Sequence, residues 1–146
     1  MYKVLIVEDN AIQIEILTTF IDWESLGITE IKVAKNGEIG MEIYNEFHPD
    51  IIISDICMPK TNGIEMIKKI REDNKNVQVI FISAYDNFNY AKNAVDLSAC
   101  GYLLKPFTPS QLQDVVEVAL KKLENELYAA PVTGNLFHSL YSPVCV

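Results

Sequence analysis

The chain has 146 residues, 49% hydrophobic and 22% charged, which suits one ordinary globular domain with a substantial core. Its net charge of −8 argues against direct nucleic-acid binding, since phosphate contacts need clustered Lys and Arg. The longest strictly apolar runs are four residues, such as Val4 to Val7, far short of the roughly 20 that a membrane helix needs.

No charged and apolar leader of the secretory kind opens the chain. Cys57, Cys100 and Cys145 are odd in number and widely spaced, so neither a disulfide framework nor a zinc pattern is expected, and the cytoplasm is the expected location.

Lys3 to Val7 reads as a buried strand, followed by Glu8-Asp9-Asn10, with Asn10 placed to cap a helix. Ile12, Ile16 and Phe20, with Leu17 and Ile21 beside them, predict that helix's apolar face. Gly27 closes the unit. Ile28 to Ala34 predicts a second strand, and Ile39, Ile43 and Phe47 with Met41 and Tyr44 a second helix that stops at His48-Pro49. Asp50 to Ser54 is a third strand of continuous apolar type that runs into Asp55.

Pro59 to Gly63 reads as a loop, and Ile64, Ile67 and Ile70 stripe a third helix. Gln78 to Ile82 is a fourth strand, and Phe88, Ala91, Ala94 and Val95 mark a fourth helix. Tyr102 to Leu104 is a short fifth strand before Lys105-Pro106. Pro109 suits the first turn of a last helix striped by Leu112, Val116, Leu120, Leu123 and Leu127.

Five β-α repeats at this spacing predict an α/β fold, a doubly wound five-stranded parallel sheet of order 2-1-3-4-5, flavodoxin-like. The expected domain runs over 1–127. Residues 128–146 form a separate tail: from Ala129 on they hold no Asp, Glu, Lys or Arg, and Pro131, Gly134 and Pro143 interrupt any long helix. This segment is expected to be a linker, a packing segment or a remnant without a role.

In that topology the loops after strands one, three, four and five share one sheet edge. They bring together Glu8, Asp9, Asp55, Ser83 and Lys105, with Tyr102 on the last strand. Read singly, each has a plain structural explanation: a solvated acidic turn, a capping serine, a loop lysine, a core tyrosine. Read together they are a site. Two like charges about 4 Å apart cost about 4 kcal/mol at an effective dielectric of about 20, so three acids need a cation, a Lys or a proton among them. Oxygen donors without His or Cys select a hard ion, and Mg²⁺ fits. Asp55 is then available as a nucleophile on phosphorus, Lys105 as a counter-charge for phosphoryl oxygens and Ser83 as a hydroxyl donor to them.

These residues resemble the receiver domain of bacterial two-component response regulators. The matching pieces are Val7-Glu8-Asp9-Asn10, Ser54 to Pro59 with Gly63, Ile82-Ser83-Ala84, and Gly101 to Phe107. The resemblance implies that Asp55 takes a phosphoryl group from a sensor histidine kinase. It implies that Glu8, Asp9, the Asp55 carboxylate and the Cys57 backbone carbonyl hold Mg²⁺. It implies further that Lys105 contacts the phosphate and that Ser83 and Tyr102 form the switch pair, Tyr102 turning inward. The chain would be no enzyme beyond its own Mg²⁺-dependent phosphorylation and dephosphorylation.

Ile21 to Gly27 and Ser83 to Ala91 look like receivers joined to AraC-type DNA-binding domains. The residues after Leu127 leave no room for such a domain and lack basic residues, so transcriptional control through DNA is expected only from an output domain absent here. A homodimer through the fourth helix, fifth strand and fifth helix is a further expectation. Cys100-Gly101 stand where many such dimers carry acids, though Lys92, Asp96, Asp114 and Lys121 offer other charges. A Mg²⁺-dependent phosphatase is the alternative enzyme reading, and Cys57 stands where its general acid belongs. A module that is never phosphorylated is the other alternative. Cys57 and Tyr85 flank the site where they would obstruct water, so slow dephosphorylation is expected.

Overall fold

The computed structural model describes residues 1–59 and 61–128, with side chains up to Asn125; the tail proposed for 129–146 lies outside the described residues. The elements are β1 (Tyr2–Val7), α1 (Ala11–Thr19), a single 3-10 turn (Glu24–Leu26), β2 (Ile28–Ala34), α2 (Gly37–Phe47), β3 (Ile51–Asp55), α3 (Gly63–Asp73), β4 (Gln78–Ser83), α4 (Phe88–Asp96), β5 (Gly101–Leu104) and α5 (Pro109–Tyr128). All four strand pairings are parallel, and the order is β2-β1-β3-β4-β5 as predicted. Strand limits agree with the sequence reading to within a residue.

Alternation along the strands builds two cores. Val4, Ile6, Ile51, Ile53, Ile80 and Ile82 face one side and meet α1, the segment just after it and α5 through Leu17, Ile21, Leu112, Val116 and Leu120. Leu5, Val7, Ile52, Val79 and Phe81 face the other and meet α2, α3 and α4 through Tyr44, Ile64, Met66, Ile67, Ile70 and Ala94. This two-sided burial is why β1, β3 and β4 read as unbroken apolar runs.

Local chemistry starts each helix. Asn10, Asn36, Asn62 and Asn87 each accept backbone N–H groups at the starts of α1 to α4. Thr108 and Gln111 form a reciprocal capping box before α5: Gln111 N donates to Thr108 Oγ1 at 3.1 Å and Thr108 N to Gln111 Oε1 at 2.9 Å.

Three helices bury part of the predicted face and expose single residues of it. At α1, Leu17 and Ile21 are buried and Ile16 and Phe20 pack against the core as predicted, while Ile12 is 69% exposed. In α2, Tyr44 and Phe47 are buried as predicted, with Gly40 beside them, while Ile39 points outward. In α4 only Ala94 is buried, and Phe88 and Val95 are exposed.

Candidate functional site

The site forms at the C-terminal edge of β1, β3, β4 and β5, and pairing fixes its layout. Val7 lies beside Ser54, Asp55 beside Ile82, and Ser83 beside Leu104. The residues immediately beyond these positions therefore converge. Asp55 ends a strand whose five residues are all buried, so its carboxylate stands on a fully packed mount and is itself only 6% exposed.

Glu8 is buried, 1% exposed, and Asp9 is exposed. Glu8, Asp9 and Asp55 each present a carboxylate oxygen within 4.8 Å of the others. One cation reaches into this group. Lys105 Nζ donates to Glu8 Oε1 at 3.0 Å and to Asp55 Oδ2 at 3.2 Å. The second Glu8 oxygen accepts Asn10 N at 3.2 Å, which holds Glu8 turned into the pocket.

The charges show in the proton affinities. Burial pushes the Glu8 carboxyl above its ordinary range, the Lys105 hydrogen bond pulls the other way, and the neighbouring Asp55 charge adds to the rise. Burial by itself would lower the Lys105 ammonium. The Glu8 hydrogen bond and the Asp55 and Glu8 charges outweigh it, and Lys105 ends above its ordinary value. One lysine among three acids leaves a net deficit of positive charge, and the donors are all carboxylate oxygens. That set fits a small hard divalent cation such as Mg²⁺.

The loop after β3 is drawn tight. Ile56 N donates to Ile82 O at 3.0 Å, Gly63 N donates to Ile56 O at 2.9 Å, and Cys57 pairs with Asn62 across the loop. Gly63 is required by this closure: a Cβ there would run into the Asp55 carbonyl oxygen and come within 2.8 Å of Ser54 Oγ.

Ser83 and Tyr102 meet at a shared acceptor. Ser83 Oγ donates to Tyr85 O at 3.3 Å and accepts Tyr85 N at 3.0 Å. Tyr102 OH donates to the same Tyr85 carbonyl at 3.1 Å. Burial raises the Tyr102 phenol's proton affinity, so it remains a donor. Every candidate residue except Cys57 thus has a described polar contact or distance inside one region. Cys57 lies on the adjoining loop, and its Sγ contacts Tyr90 OH on α4 at 3.2 Å. The sequence reading had not singled out Tyr90, Asn62 or Gln13. Gln13 Oε1 is buried without a partner among the described residues.

Comparison with known proteins agrees with this geometry. The profile of the response regulator receiver domain matches residues 4–117. The uncharacterized transcriptional regulatory protein YesN of Bacillus subtilis (strain 168) is 35% identical over 140 residues, which is 96% of this chain and 38% of the relative. The transcriptional regulatory protein HptR of Staphylococcus aureus (strain NCTC 8325 / PS 47) is 34% identical over 116 residues, 80% of this chain and 45% of the relative. The solved REC domain of AraT, a response regulator from Geobacillus stearothermophilus, superposes with a TM-score of 0.79 at 36% identity, over 86% of this chain and 98% of that one. The chain spans less than half the length of the two regulators.

Proposed function

The chain belongs to the response regulator receiver family, and from that premise we propose that it is a phosphorylation-controlled switch in which Asp55 accepts a phosphoryl group from a sensor histidine kinase. The observation that carries the reading is the Lys105 ammonium bridging Glu8 and Asp55 with Asp9 alongside. A carboxylate oxygen of Asp55 attacks phosphorus, the bond from phosphorus to the kinase imidazole nitrogen breaks, and an aspartyl phosphate results. Glu8, Asp9, the Asp55 carboxylate and the Cys57 backbone carbonyl would hold Mg²⁺, which supplies positive charge for the phosphoryl oxygens when bound. Lys105 leaves its contact with the unmodified Asp55 carboxylate and meets a phosphoryl oxygen instead. Glu8 keeps Lys105 aimed at that point throughout.

The shared carbonyl supplies the switch. Ser83 exchanges its long bond to Tyr85 O for a phosphoryl oxygen, which pulls the β4–α4 loop. Tyr102 loses Tyr85 O as that carbonyl moves, and its ring turns inward. The surface of α4, β5 and α5 changes as a result. Its exposed Phe88, Val95 and Leu104, flanked by exposed Lys92, Asp96, Asp114 and Lys121, suit pairing with a second copy.

Both regulators compared above are named as transcriptional regulators, so we propose transcription as the output, with DNA contact made outside residues 1–128. The proposed location is the cytoplasm. Among the described residues no helix is long and apolar enough to cross a membrane.

The test is incubation with Mg²⁺ and acetyl phosphate, read as mass gain and as change in Trp23 or Tyr fluorescence, with beryllofluoride as the stable mimic. The expected result is one phosphoryl group on the wild-type chain and none on Asp55→Ala. Modification that persists in Asp55→Ala, or no modification of the wild type, overturns the reading. Continuous turnover of a phosphate ester would instead indicate a phosphatase. A phosphorylated half-life of seconds would contradict the slow hydrolysis proposed from Cys57 and Tyr85.

A further inference from the structure

We propose that Tyr90 is a positioning residue for the Asp55 site: through Cys57 Sγ its hydroxyl holds the loop after β3 and ties that loop to α4. The inference rests on the proposal that Asp55 and its acidic neighbours are the phosphorylation site, and it adds a second connection between that site and α4.

The contact joins residues 33 apart in sequence, with Sγ and OH 3.2 Å from each other. Both side chains are half-buried and pack against the core beneath α2, α3 and α4. On one side, Cys57 lies two residues past Asp55, in a loop closed on itself by the Gly63 N to Ile56 O bond and the Cys57–Asn62 pairing. Among the described residues of that loop, Cys57 makes the side-chain hydrogen bond that leaves it. On the other side, Tyr90 stands in the first turn of α4, where Asn87 Oδ1 accepts Asn89 N at 2.8 Å and Tyr90 N at 3.3 Å. A shift of the loop therefore reaches a turn whose backbone is already capped and aligned.

The route is distinct from the Ser83, Tyr85 and Tyr102 contacts, which enter α4 through the β4–α4 loop. The loop held by Tyr90 also carries the backbone carbonyl assigned to the metal. Thiol–hydroxyl bonds are weak, so this one biases the loop and can break without unfolding anything. Coupling of this kind is reciprocal: if Tyr90 steadies the loop for the cation, the cation steadies the start of α4.

A double-mutant cycle tests it. Full-length Tyr90→Phe, Cys57→Ala and the double variant are compared by amide hydrogen exchange and by calorimetric Mg²⁺ titration. A weak hydrogen bond, at the low end of the ordinary net range, corresponds to a change of about twofold. Each single variant is expected to speed exchange at Gly63 by that order, to weaken Mg²⁺ binding likewise and to leave the Ile80 and Ile82 amides unchanged. The double variant is expected to go no further.

Unchanged Gly63 exchange in Tyr90→Phe overturns the proposal. So does an acceleration shared by the β4 amides, which is the mark of general destabilisation. Unaltered Mg²⁺ affinity in Tyr90→Phe, or effects that multiply in the double variant, also overturns it. A wild-type chain that takes up no Mg²⁺ removes the metal assignment, and the exchange comparison then decides the Tyr90 contact by itself.

Discussion

Lys105 reaches two buried carboxylates at once, so its removal leaves both without their cation. Lys105→Ala is expected to destabilise the metal-free fold by about 1–3 kcal/mol, the cost of leaving charged groups unpaired at a largely buried position. Urea unfolding measures this, and millimolar Mg²⁺ should restore part of the loss by binding the native state alone. Glu8 adds a pH dependence. Its folded-state affinity for a proton is raised, so the native state holds more protons than the unfolded chain between the ordinary glutamate value and the raised one. Stability of the metal-free protein is therefore expected to fall as pH rises through that window, and Glu8→Gln should flatten the slope. Mg²⁺ affinity should run the opposite way, rising over the same window as Glu8 loses its proton. Lys105, also raised, contributes stability that is complete below the ordinary lysine value and is lost as pH climbs through its own.

At the scale of elements, every helix start is fixed by one side chain or one reciprocal pair. Asn87→Ala should cost about 1 kcal/mol and loosen the first turn of α4, seen as faster amide exchange at Asn89 and Tyr90. Gly63 marks where β3, its loop and α3 meet. Gly63→Ala is expected to destabilise by about 1–3 kcal/mol, because the new methyl must displace the Asp55 carbonyl. Chemical denaturation gives the energy, and a weakened Mg²⁺ titration would show that the Asp55 loop has moved. The strands were readable from continuous β-branched runs because a strand buried on both faces has no polar side to confuse the pattern. Helix faces were read less well. Gln13 buries its Oε1 on α1 while Ile12 stays exposed, and hydrophobicity by itself does not report which residue of a helix margin turns inward.

Across the whole molecule, α4 is lightly packed. It buries only the small Ala94 among its nine residues, as α1 buries only Leu17 among its nine, and it leaves Phe88 80% exposed. A helix held by so little packing moves at low cost, which suits the proposed role of α4 in reporting the state of Asp55. Phosphorylated or beryllofluoride-loaded protein is expected to form a dimer through α4, β5 and α5, and Val95→Glu should keep it monomeric without changing phosphorylation. Size-exclusion with light scattering decides this. A dimer that survives Val95→Glu would place the contact elsewhere.

The order of strands, the buried mount under Asp55 and the gathering of Glu8, Asp9, Asp55, Ser83 and Lys105 on one edge were all legible from the chain. Parallel β-α alternation allows few topologies, and apolar runs that end in polar residues mark the edge where sites form. Three things came only from the tertiary structure. Lys105 bridges Glu8 and Asp55 specifically, Ser83 and Tyr102 share the Tyr85 carbonyl, and Cys57 meets Tyr90 across 33 residues. Each depends on distances between elements far apart in sequence. Those distances are set by how side chains of given volume pack between sheet and helix, and no periodicity within a single segment encodes them.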